Sequence, residues 1–530
     1  MSDSRGVLGL VAVPPEGGSI ERQQPALRPG TRTVAFLLAA YAIGHAALRV
    51  WISPVLNIDD AREAIFSQTL AWGYEPRQPP LYTWLVWATV HLAGVSVASL
   101  TVLKYAVLVV GYAFAYGIAR RILREPRLAP LAAFSLLLLL PVGWFVHDDL
   151  TQSVAVLAAA AGTVYALIRL EAAPTAGRYA WLGLALAAGT LSKLTYLVFA
   201  GALGLAALSL APYRRRFLER RMVLSLAVAV VLLFPYALWL AGHEDDLARL
   251  YAQQLGAGSA RSFVAGVVDG LGAVLRALVY YAAPIGLLFL ALFPEIYRPG
   301  LAAAGAESPA GQLVGRTLVA GLGLLVVGAL LNVLGQLKFR WAIPLFFLLP
   351  LCACWRLDRL GVDAVRRRRL RAYAAVLVIA EVLMVGAILL QVRLGARFGV
   401  PARLNTPYDA VAAAVTAAGF RRGTIVAGHG PLGGNLRLAF PSSRVVSLES
   451  PGYLPVLAGE GPGGECVVVW NRGDAGGIPE DLRAWLRTRL AAEVPPASPV
   501  ARVSAPYRHG PAGDYRAFYV RVSEGAGRCR

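Results

Sequence analysis

The chain has 530 residues, of which 57% are hydrophobic and only 15% are charged. Soluble globular domains carry about 25% charged residues, so this composition excludes a soluble cytosolic enzyme and a disordered or fibrous protein. Lysine and arginine number 51 against 31 aspartates and glutamates, a net charge of +20. Such a surplus is typical of nucleic-acid-binding proteins, but its distribution along the chain argues against a nucleic-acid partner.

The stretch 1–32 is polar and contains several prolines, which predicts a disordered cytoplasmic tail. A helix needs about 20 apolar residues to cross the hydrocarbon core of a bilayer. Eleven apolar runs predict eleven membrane-spanning helices, at 33–52, 98–119, 128–146, 150–168, 179–192, 194–211, 222–241, 273–297, 317–336, 341–355 and 372–392. The runs 179–192 and 194–211 could also form one long broken helix. The sequence therefore predicts an all-α polytopic membrane domain over residues 33–393.

Basic residues alternate between the predicted loops. The N-terminal stretch and every second loop contain 24 arginines, whereas the other loops contain eight lysines and arginines. Short loops rich in lysine and arginine stay in the cytoplasm. The pattern predicts a cytoplasmic N-terminus in a bacterial inner membrane and places residues 394–530 outside, in the periplasm. It also accounts for most of the positive charge without nucleic acid.

The segment 394–530 has a different composition, rich in glycine, proline and arginine. Short apolar runs predict strands at Thr424–Ala427, Arg444–Leu448, Cys466–Trp470 and Ala517–Val522. Helical periodicity is present at Asp409–Ala418 and Glu480–Leu490. We therefore expect a small extracytoplasmic α/β domain here.

Two further features of this segment leave alternatives open. The run 428–435 contains four glycines and could cradle a phosphate, but it lacks the Walker lysine and the dinucleotide spacing, which favours an ordinary loop after a strand. Cys466 and Cys529 could form a disulfide if the domain is periplasmic. Neither Cys/His zinc spacing nor a nucleophile-elbow serine occurs in the sequence.

The first predicted outer loop carries two adjacent carboxylates. Asp60 with Glu63 three residues later fits a helix capping box, which would give Asp60 a structural role. Asp59 then lies just outside the helix with no structural partner that the sequence suggests. A carboxylate in that position can accept a proton from a substrate hydroxyl, so Asp59 is the candidate general base.

Other polar residues that interrupt apolar sequence also fall on the predicted outer face. They are His147, Asp148, Asp149, Lys193, Lys338 and Arg340. Lys193 interrupts an apolar stretch, and broken hydrophobic segments often mark binding sites in membrane proteins. It is one of only three lysines in the chain, and an ammonium group is a good point-charge partner for phosphate. The alternative for each residue is a solvated position at the membrane interface.

Short segments of the chain, in order, resemble a known family. They are Asp59–Arg62, Gln78–Tyr82, His147–Asp149, Gly189–Lys193 and Arg340–Pro344. These segments are similar to motifs of bacterial GT-C glycosyltransferases of the protein O-mannosyltransferase and lipid A aminoarabinose transferase type. Two positions depart from the family pattern, since Asp60 replaces the usual glutamate and Gln78 occupies a position where lysine or histidine is common.

The resemblance implies an enzyme that takes a sugar from a polyprenyl-phosphate carrier at the outer membrane surface. An acceptor hydroxyl on an envelope lipid, glycan or protein attacks the anomeric carbon in a single inverting displacement. On this reading no cofactor is required, although the acidic cluster could bind a divalent metal.

The resemblance also implies roles for the outer-face residues. Asp59 is the base, with Asp60 beside it, and Asp148 orients hydroxyls of the acceptor or the sugar. Lys193 with Arg340 or Lys338 holds the lipid phosphate. The other candidate residues for substrate or donor binding are Gln78, Tyr82, His147 and Asp149.

Three other functions share some of these features. A transporter or flippase of lipid-linked sugars would place ionisable residues near the bilayer midplane, whereas here most of them gather at one face. A polysaccharide polymerase or ligase would have a longer central outer loop than 242–272. A scaffold displaying the C-terminal domain would need neither Asp59 nor Lys193.

Overall fold

The computed structural model describes residues 29–244, 248, 262–297, 308–334, 337–361, 363–400, 402–456, 465–472, 477–494, 498–510, 514–522 and 529. Most of the predicted tail 1–32 lies outside this range. Its last residues, 29–32, are helical, because the first helix begins at Pro29 rather than at residue 33.

The described chain up to residue 394 is almost entirely helical. Its α-helices are α1 Pro29–Ile52, α2 Ile58–Phe66, α3 Leu81–Ala93, α4 Val97–Ile122, α5 Leu128–Phe134, α6 Val146–Asp148, α7 Thr151–Ala172, α8 Ala176–Ser192, α9 Tyr196–Ser209, α10 Ala211–Phe217, α11 Met222–Ala241, α12 Phe263–Leu292, α13 Pro309–Leu330, α14 Ile343–Phe346, α15 Leu348–Arg359 and α16 Ala364–Leu394. A 3₁₀ turn, Ser135–Leu138, and a π-helical turn, Pro141–Phe145, connect α5 to α6.

The predicted number of eleven spans is not confirmed. Seven helices in the described residues are long and apolar enough to cross a membrane, and two bent pairs bring the number to at most nine. The run 179–192 falls in α8, which has 17 residues and therefore a length of about 26 Å, short of a ~30 Å core. The run 341–355 is divided between the short helices α14 and α15.

Helix α7 forms the centre of the bundle. Of the residues in its most apolar stretch, 83% are buried inside the protein. The corresponding shares for α11 and α16 are 17% and 11%. The buried face of α7 is rich in alanine, which allows neighbouring backbones to approach closely. Helices α11 and α16 therefore present most of their surface to lipid.

The C-terminal region forms a mixed five-stranded sheet with three helices. The strands are β1 Gly423–Ala427, β2 Arg444–Ser447, β3 Glu465–Trp470, β4 Ala501–Pro506 and β5 Asp514–Val522, in the order β2-β1-β3-β5-β4. The helices are α17 Tyr408–Ala417, α18 Gly430–Ala439 and α19 Glu480–Leu490. Strands β1, β2 and β3 are parallel, and β5 runs antiparallel to both β3 and β4.

This architecture agrees with the predicted small α/β domain. All four predicted strands and both predicted helices occur within a few residues of their predicted bounds. The edge strand β4 was not predicted because its apolar residues are small and only half-buried. A disulfide joins Cys466 in β3 to Cys529, which resolves the pairing that the sequence left open.

The sequence suggested an ordinary loop for the glycine-rich run 428–435. In the structure this run instead contains the first turns of α18. This helix packs directly on α2 of the membrane domain. A Cβ atom added to Gly434 would lie 2.2 Å from the backbone oxygen of Ala61, and one added to Gly433 would lie 3.1 Å from Cδ1 of Ile65. The glycines therefore permit close helix–helix contact and do not form a phosphate cradle.

Hydrogen bonds fix the same contact on both sides of α2. The Leu56 N–H donates to Asn435 Oδ1 over 2.8 Å, and Asn435 Nδ2 donates to the Leu56 carbonyl over 3.1 Å. Gln68 pairs in both directions with the backbone of Val445 in β2, at 2.7 and 2.8 Å. The sheet domain thus holds both ends of α2, through the Asn435 side chain at one end and the Val445 backbone at the other.

We expect Gly434→Ala to weaken this contact, because the new methyl group meets backbone atoms that cannot rotate away. Overpacking of this kind typically costs about 1–3 kcal/mol. Thermal unfolding in detergent and limited proteolysis of the sheet domain measure the effect. Gly452→Ala is the matched control, since a Cβ at that position meets no atom within 4 Å. Equal stability of both variants would contradict the proposed packing role.

Candidate active site

Helix α2 carries the predicted acidic pair, but it begins earlier than the sequence suggested. Asn57 is the N-cap, and its side-chain oxygen accepts a hydrogen bond from the Ile58 N–H. The predicted capping box of Asp60 with Glu63 is therefore wrong, because Asp60 lies within the first turn. Both Asp59 and Asp60 occupy that turn, where the helix dipole favours negative charge.

The Asp60 carboxylate points into the membrane domain and meets a buried lysine. Its Oδ2 lies 3.6 Å from Nζ of Lys104, a residue of α4 whose side chain is fully buried. A buried charge is costly unless it is paired. Lys104 is not among the site residues predicted from the sequence, although a lysine within an apolar span is itself a signal of a buried partner.

Asp59 also has a structural partner, contrary to the expectation from sequence. Its carboxylate forms an ion pair with Arg62 one turn later on α2. Its backbone N–H donates to Oδ1 of Asp149 over 2.8 Å. Burial, together with the nearby charges of Asp59 and Asp60, raises the pKa of Asp149 to about 8. The two predicted acidic loops are therefore in direct contact.

The second acidic loop is held by Asn57 and by an unusual backbone turn. Asn57 Nδ2 donates to the Asp148 carbonyl over 2.8 Å and to its carboxylate over 3.0 Å. Leu150, directly after the pair, has φ 60° and ψ 47°. This left-handed conformation costs a non-glycine residue about 1–2 kcal/mol. The turn separates Asp148 and Asp149 from the start of α7.

A small cavity of about 90 Å³ lies beside Asp59, which we call the cationic cavity. Its lining contains five of the predicted site residues, Asp59, Gln78, Lys193, Lys338 and Arg340, together with Arg62, Arg77, Gln152, Ser153 and Trp341. Five of these side chains are basic and one is acidic, so the cavity is suited to an anion. Arg77 adds a positive charge next to Gln78, where the family usually has a basic residue.

Lys193 occupies the C-cap of α8 and reaches into the cationic cavity. Its Nζ donates to Ser153 Oγ over 3.1 Å. Burial and the neighbouring Arg340 guanidinium lower the pKa of Lys193 to about 7. Nζ of Lys338 lies 5.6 Å from the centroid of the Trp341 ring. Burial and the Arg340 guanidinium also lower the pKa of Lys338. The basic groups repel one another in the absence of an anion.

A second cavity, of about 310 Å³, adjoins the first and is mainly apolar. We call it the apolar cavity. It shares Arg77, Lys193 and Trp341 with the cationic cavity. Its other walls come from α9, α13 and described residues of 333–334 and 337–345. The two cavities together therefore offer an apolar groove that ends at a cluster of positive charge.

A third cavity, of about 380 Å³, lies at the ends of α1 and α16. We call it the arginine cavity, because Arg49 and Arg403 line it together with Asp148. It shares no lining residue with the cationic cavity. Asp148 thus faces a different space from Asp59, although the two loops touch.

The remaining predicted residues do not lie in the cationic cavity. The two ring nitrogens of His147 are both within 2.9 Å of tyrosine hydroxyls, those of Tyr41 and Tyr105. His147 lines the arginine cavity, and its hydrogen bonds tie α6 to α1 and α4. Tyr82 is 1% exposed in a hydrophobic cluster and lines none of the three cavities. Direct donor contacts for these two residues are not supported.

Glu63 is a buried carboxylate that supports the cationic cavity through hydrogen bonds. Its carboxylate accepts hydrogen bonds from Thr83 over 2.7 Å and from Gln152 over 3.2 Å. Gln152 also donates to Gln78 Oε1 over 2.5 Å. Burial raises the pKa of Glu63 to about 7.

Among the residues that the structure describes, no cluster of three or more His, Cys, Asp or Glu side chains could hold a metal ion.

Comparison with solved structures shows which fold this is. The chain matches the crystal structure of ArnT from Cupriavidus metallidurans bound to undecaprenyl phosphate, with a TM-score of 0.61 at 13% identity. The match covers 93% of this chain and 98% of ArnT. The apo structure of the same protein gives the same TM-score at 14% identity. The chain therefore has the fold of ArnT, which is the GT-C membrane fold.

Sequence comparisons identify the family. Residues 77–239 match the family model described as dolichyl-phosphate-mannose-protein mannosyltransferase. The lipopolysaccharide core galacturonosyltransferases RgtB and RgtA of Rhizobium johnstonii are 31% and 30% identical to the chain, over 92% and 91% of its length and 97% and 95% of theirs. The chain belongs to the family of bacterial GT-C glycosyltransferases that contains these enzymes. The resemblance seen in the sequence is confirmed, and the protein is a glycosyltransferase.

Lys104→Met should destabilise the protein strongly, because it leaves the Asp60 carboxylate buried without its cation. Removing one partner of a buried ion pair typically costs about 3–5 kcal/mol. The double variant Lys104→Met with Asp60→Asn should recover most of the loss, since it removes both charges. Thermal unfolding in detergent measures all three proteins. A single variant as stable as the wild type would show that the pair contributes nothing.

Proposed function

We propose that the protein transfers a galacturonosyl residue from a polyprenyl-phosphate donor to a saccharide of the lipopolysaccharide core at the periplasmic face. The observation that carries this proposal is the cationic cavity at the end of the apolar cavity, joined through Lys193. The names of the galacturonosyltransferase relatives support the sugar and the acceptor. The ArnT structure with undecaprenyl phosphate supports the type of carrier.

The donor has two chemically different parts, and each cavity suits one of them. The prenyl chain lies in the apolar cavity, where it stays out of water. The phosphodiester lies in the cationic cavity within reach of Lys193, Lys338 and Arg340, all of which line it. Binding of the anion relieves the repulsion among these cations and holds Lys193 in its ammonium form. No nucleotide is involved.

The reaction is a single displacement at the anomeric carbon. The acceptor hydroxyl oxygen forms the new glycosidic bond while the bond from the anomeric carbon to the phosphate oxygen breaks. The electron pair of that bond goes to the phosphate, whose added charge the cationic side chains stabilise. Asp59 accepts the proton of the acceptor hydroxyl. The products are the glycosylated acceptor, with inverted configuration, and polyprenyl phosphate.

The other acidic residues hold parts of the site in position and take no part in making or breaking bonds. Asp60, paired with Lys104, anchors the first turn of α2 and so places Asp59. Asp148 orients the acceptor hydroxyl from the arginine cavity. Asp149 receives the Asp59 N–H and fixes the contact between the two loops. The reaction on this account needs no metal cofactor.

We also propose that the N-terminus faces the cytoplasm and the sheet domain faces the periplasm. The distribution of arginine between loops supports this orientation. The Cys466–Cys529 disulfide supports it independently, because disulfides persist in oxidising compartments such as the periplasm.

Mass spectrometry of lipopolysaccharide from a deletion strain tests the function. The core of that strain should lack a hexuronic acid residue that the complemented strain restores. A core of unchanged mass, with loss of a sugar from another envelope glycan or protein, would contradict the proposed acceptor.

Asp59→Asn should abolish transfer while leaving the fold and donor binding in place, because the amide is nearly isosteric but cannot accept the proton. Loss of a positioned general base typically lowers the rate by roughly 10²–10⁴-fold. The assay is sugar transfer from a synthetic polyprenyl-phosphate donor. Asp409→Asn is the matched control, since this exposed carboxylate pairs with Arg508 in the sheet domain. Full activity of Asp59→Asn would place the base elsewhere.

Donor binding should weaken as the pH rises above about 7. In the free protein the pKa of Lys193 is about 7, so the lysine is increasingly neutral above that pH, and binding of the phosphodiester must then be accompanied by proton uptake. Lys193→Met should bind the donor weakly at all pH values, and Lys193→Arg should bind it without this pH dependence. Titrations with a synthetic polyprenyl-phosphate sugar donor, a phosphodiester whose charge does not change between pH 6 and pH 9, measure the effect. Identical pH profiles for wild type and Lys193→Arg would exclude the role of Lys193.

A further inference from the structure

The arginine cavity is not needed to hold the donor, yet it has the features of a ligand site. Ligand sites are typically about 300–1,000 Å³ in volume, with mainly apolar walls and a few placed polar groups. The cavity, of about 380 Å³, combines Trp144, Ile388 and Val392 with two arginines. An aromatic face beside charged groups suits a saccharide that carries an anionic substituent.

Arg49 is a buried cation that forms no ion pair within 4 Å with a carboxylate of the described residues. The carboxylates of Asp60, Asp148 and Asp149 interact with its charge only from a greater distance. Its side chain is 4% exposed, and its two terminal nitrogens donate to the carbonyls of Ser53 and Val55, over 3.0 and 2.5 Å. Its Nε is buried and has no hydrogen-bond partner among the described residues. Two carbonyl groups satisfy hydrogen bonds but do not neutralise the charge. A bound anion would compensate the guanidinium.

Arg403 adds a second guanidinium at the rim of the same cavity. It lies on the segment that leads from α16 to the sheet domain, and its side chain is exposed. The segment itself is fixed, because Ser53 Oγ donates to the Leu404 carbonyl over 2.6 Å and Asn405 Nδ2 donates to the Val392 carbonyl over 2.7 Å. A fixed backbone thus presents a long, exposed side chain at the rim of the cavity, where Arg403 also interacts electrostatically with Asp148.

The position of the cavity fits the side from which the acceptor must enter. In an inverting displacement the attacking oxygen and the leaving oxygen lie on opposite faces of the sugar ring. The leaving phosphate belongs to the cationic cavity, which Asp59 lines. Asp148 lines the arginine cavity, and the contact between Asp59 and Asp149 lies between the two spaces.

We propose that the arginine cavity binds the acceptor, and that the acceptor is an anionic saccharide whose carboxylate or phosphate is held by Arg49 and Arg403. This inference rests on the proposed transferase function and adds the class of acceptor and its binding site. Arg49 fixes the anion at depth, Arg403 closes over it from the rim, and Asp148 orients the hydroxyl that reacts.

The test uses Arg403→Gln in the full-length protein, because Arg49 also supports the end of α1. Loss of a charge-assisted hydrogen bond should raise the KM for a lipopolysaccharide core acceptor by roughly 10- to 100-fold. The KM for the donor and the kcat at saturating acceptor should not change. Arg397→Gln, at an exposed position in the same connecting region that lines none of the three cavities, is the matched control. An unchanged acceptor KM in Arg403→Gln would overturn the proposal.

Acceptors with altered charge identify the anionic group. One acceptor has its carboxyl groups reduced to hydroxymethyl groups, and another has its phosphates removed. The effect of Arg403→Gln should disappear with the acceptor that lacks the recognised anion and persist with the other. An effect of equal size with both altered acceptors and with the native one would overturn the proposal.

Acceptor binding measured without donor separates this inference from the proposed function. If the wild type transfers no sugar to any core acceptor, the proposed function fails. If the wild type transfers sugar and its affinity for the core saccharide equals that of Arg403→Gln, only the inference about the arginine cavity fails.

Discussion

The position of helix α2 is the constraint on which the site depends. This helix is too short to be stable by itself, and it is held from two sides. The sheet domain approaches it through Gly434, where no larger residue fits, and the membrane domain holds it through the buried pair of Asp60 and Lys104. This placement also fixes the position of Asp59, which lies in the same turn as Asp60 and lines the cationic cavity. The C-terminal domain therefore supports the helix that carries the proposed base Asp59.

A lipid phosphate imposes a second requirement, which is a positive site directly at the edge of an apolar one. Charged side chains within hydrocarbon are costly, so such a site belongs at the ends of helices. Lys193 meets this requirement because it terminates the short helix α8 and lines both the apolar and the cationic cavity. Because the short helix α8 ends at Lys193, this lysine lies where the two cavities meet.

Local sequence patterns predicted the helical membrane domain, the small sheet domain and five residues of the cationic cavity. They failed where a residue's role depends on a partner distant in sequence. Lys104 could not be matched with Asp60, and the glycines of α18 were interpreted as a loop because their packing partner, α2, lies more than 360 residues earlier. The capping box was misassigned because Asn57 is an equally good cap three residues before Asp60. The predicted number of spans is not confirmed in the described residues, because hydropathy does not distinguish a full crossing from the short helices α8, α14 and α15.

A structure of the protein with undecaprenyl phosphate tests the central claim, that the cationic and apolar cavities form one donor site, most directly. The account predicts a phosphate within hydrogen-bond distance, about 2.7–3.2 Å, of Lys193 Nζ and the Arg340 guanidinium. It further predicts a prenyl chain along α9 and α13 in the apolar cavity, with the Asp59 carboxylate beside the phosphate. A phosphate bound by Arg49 and Arg403 in the arginine cavity, with the cationic cavity empty, would contradict it.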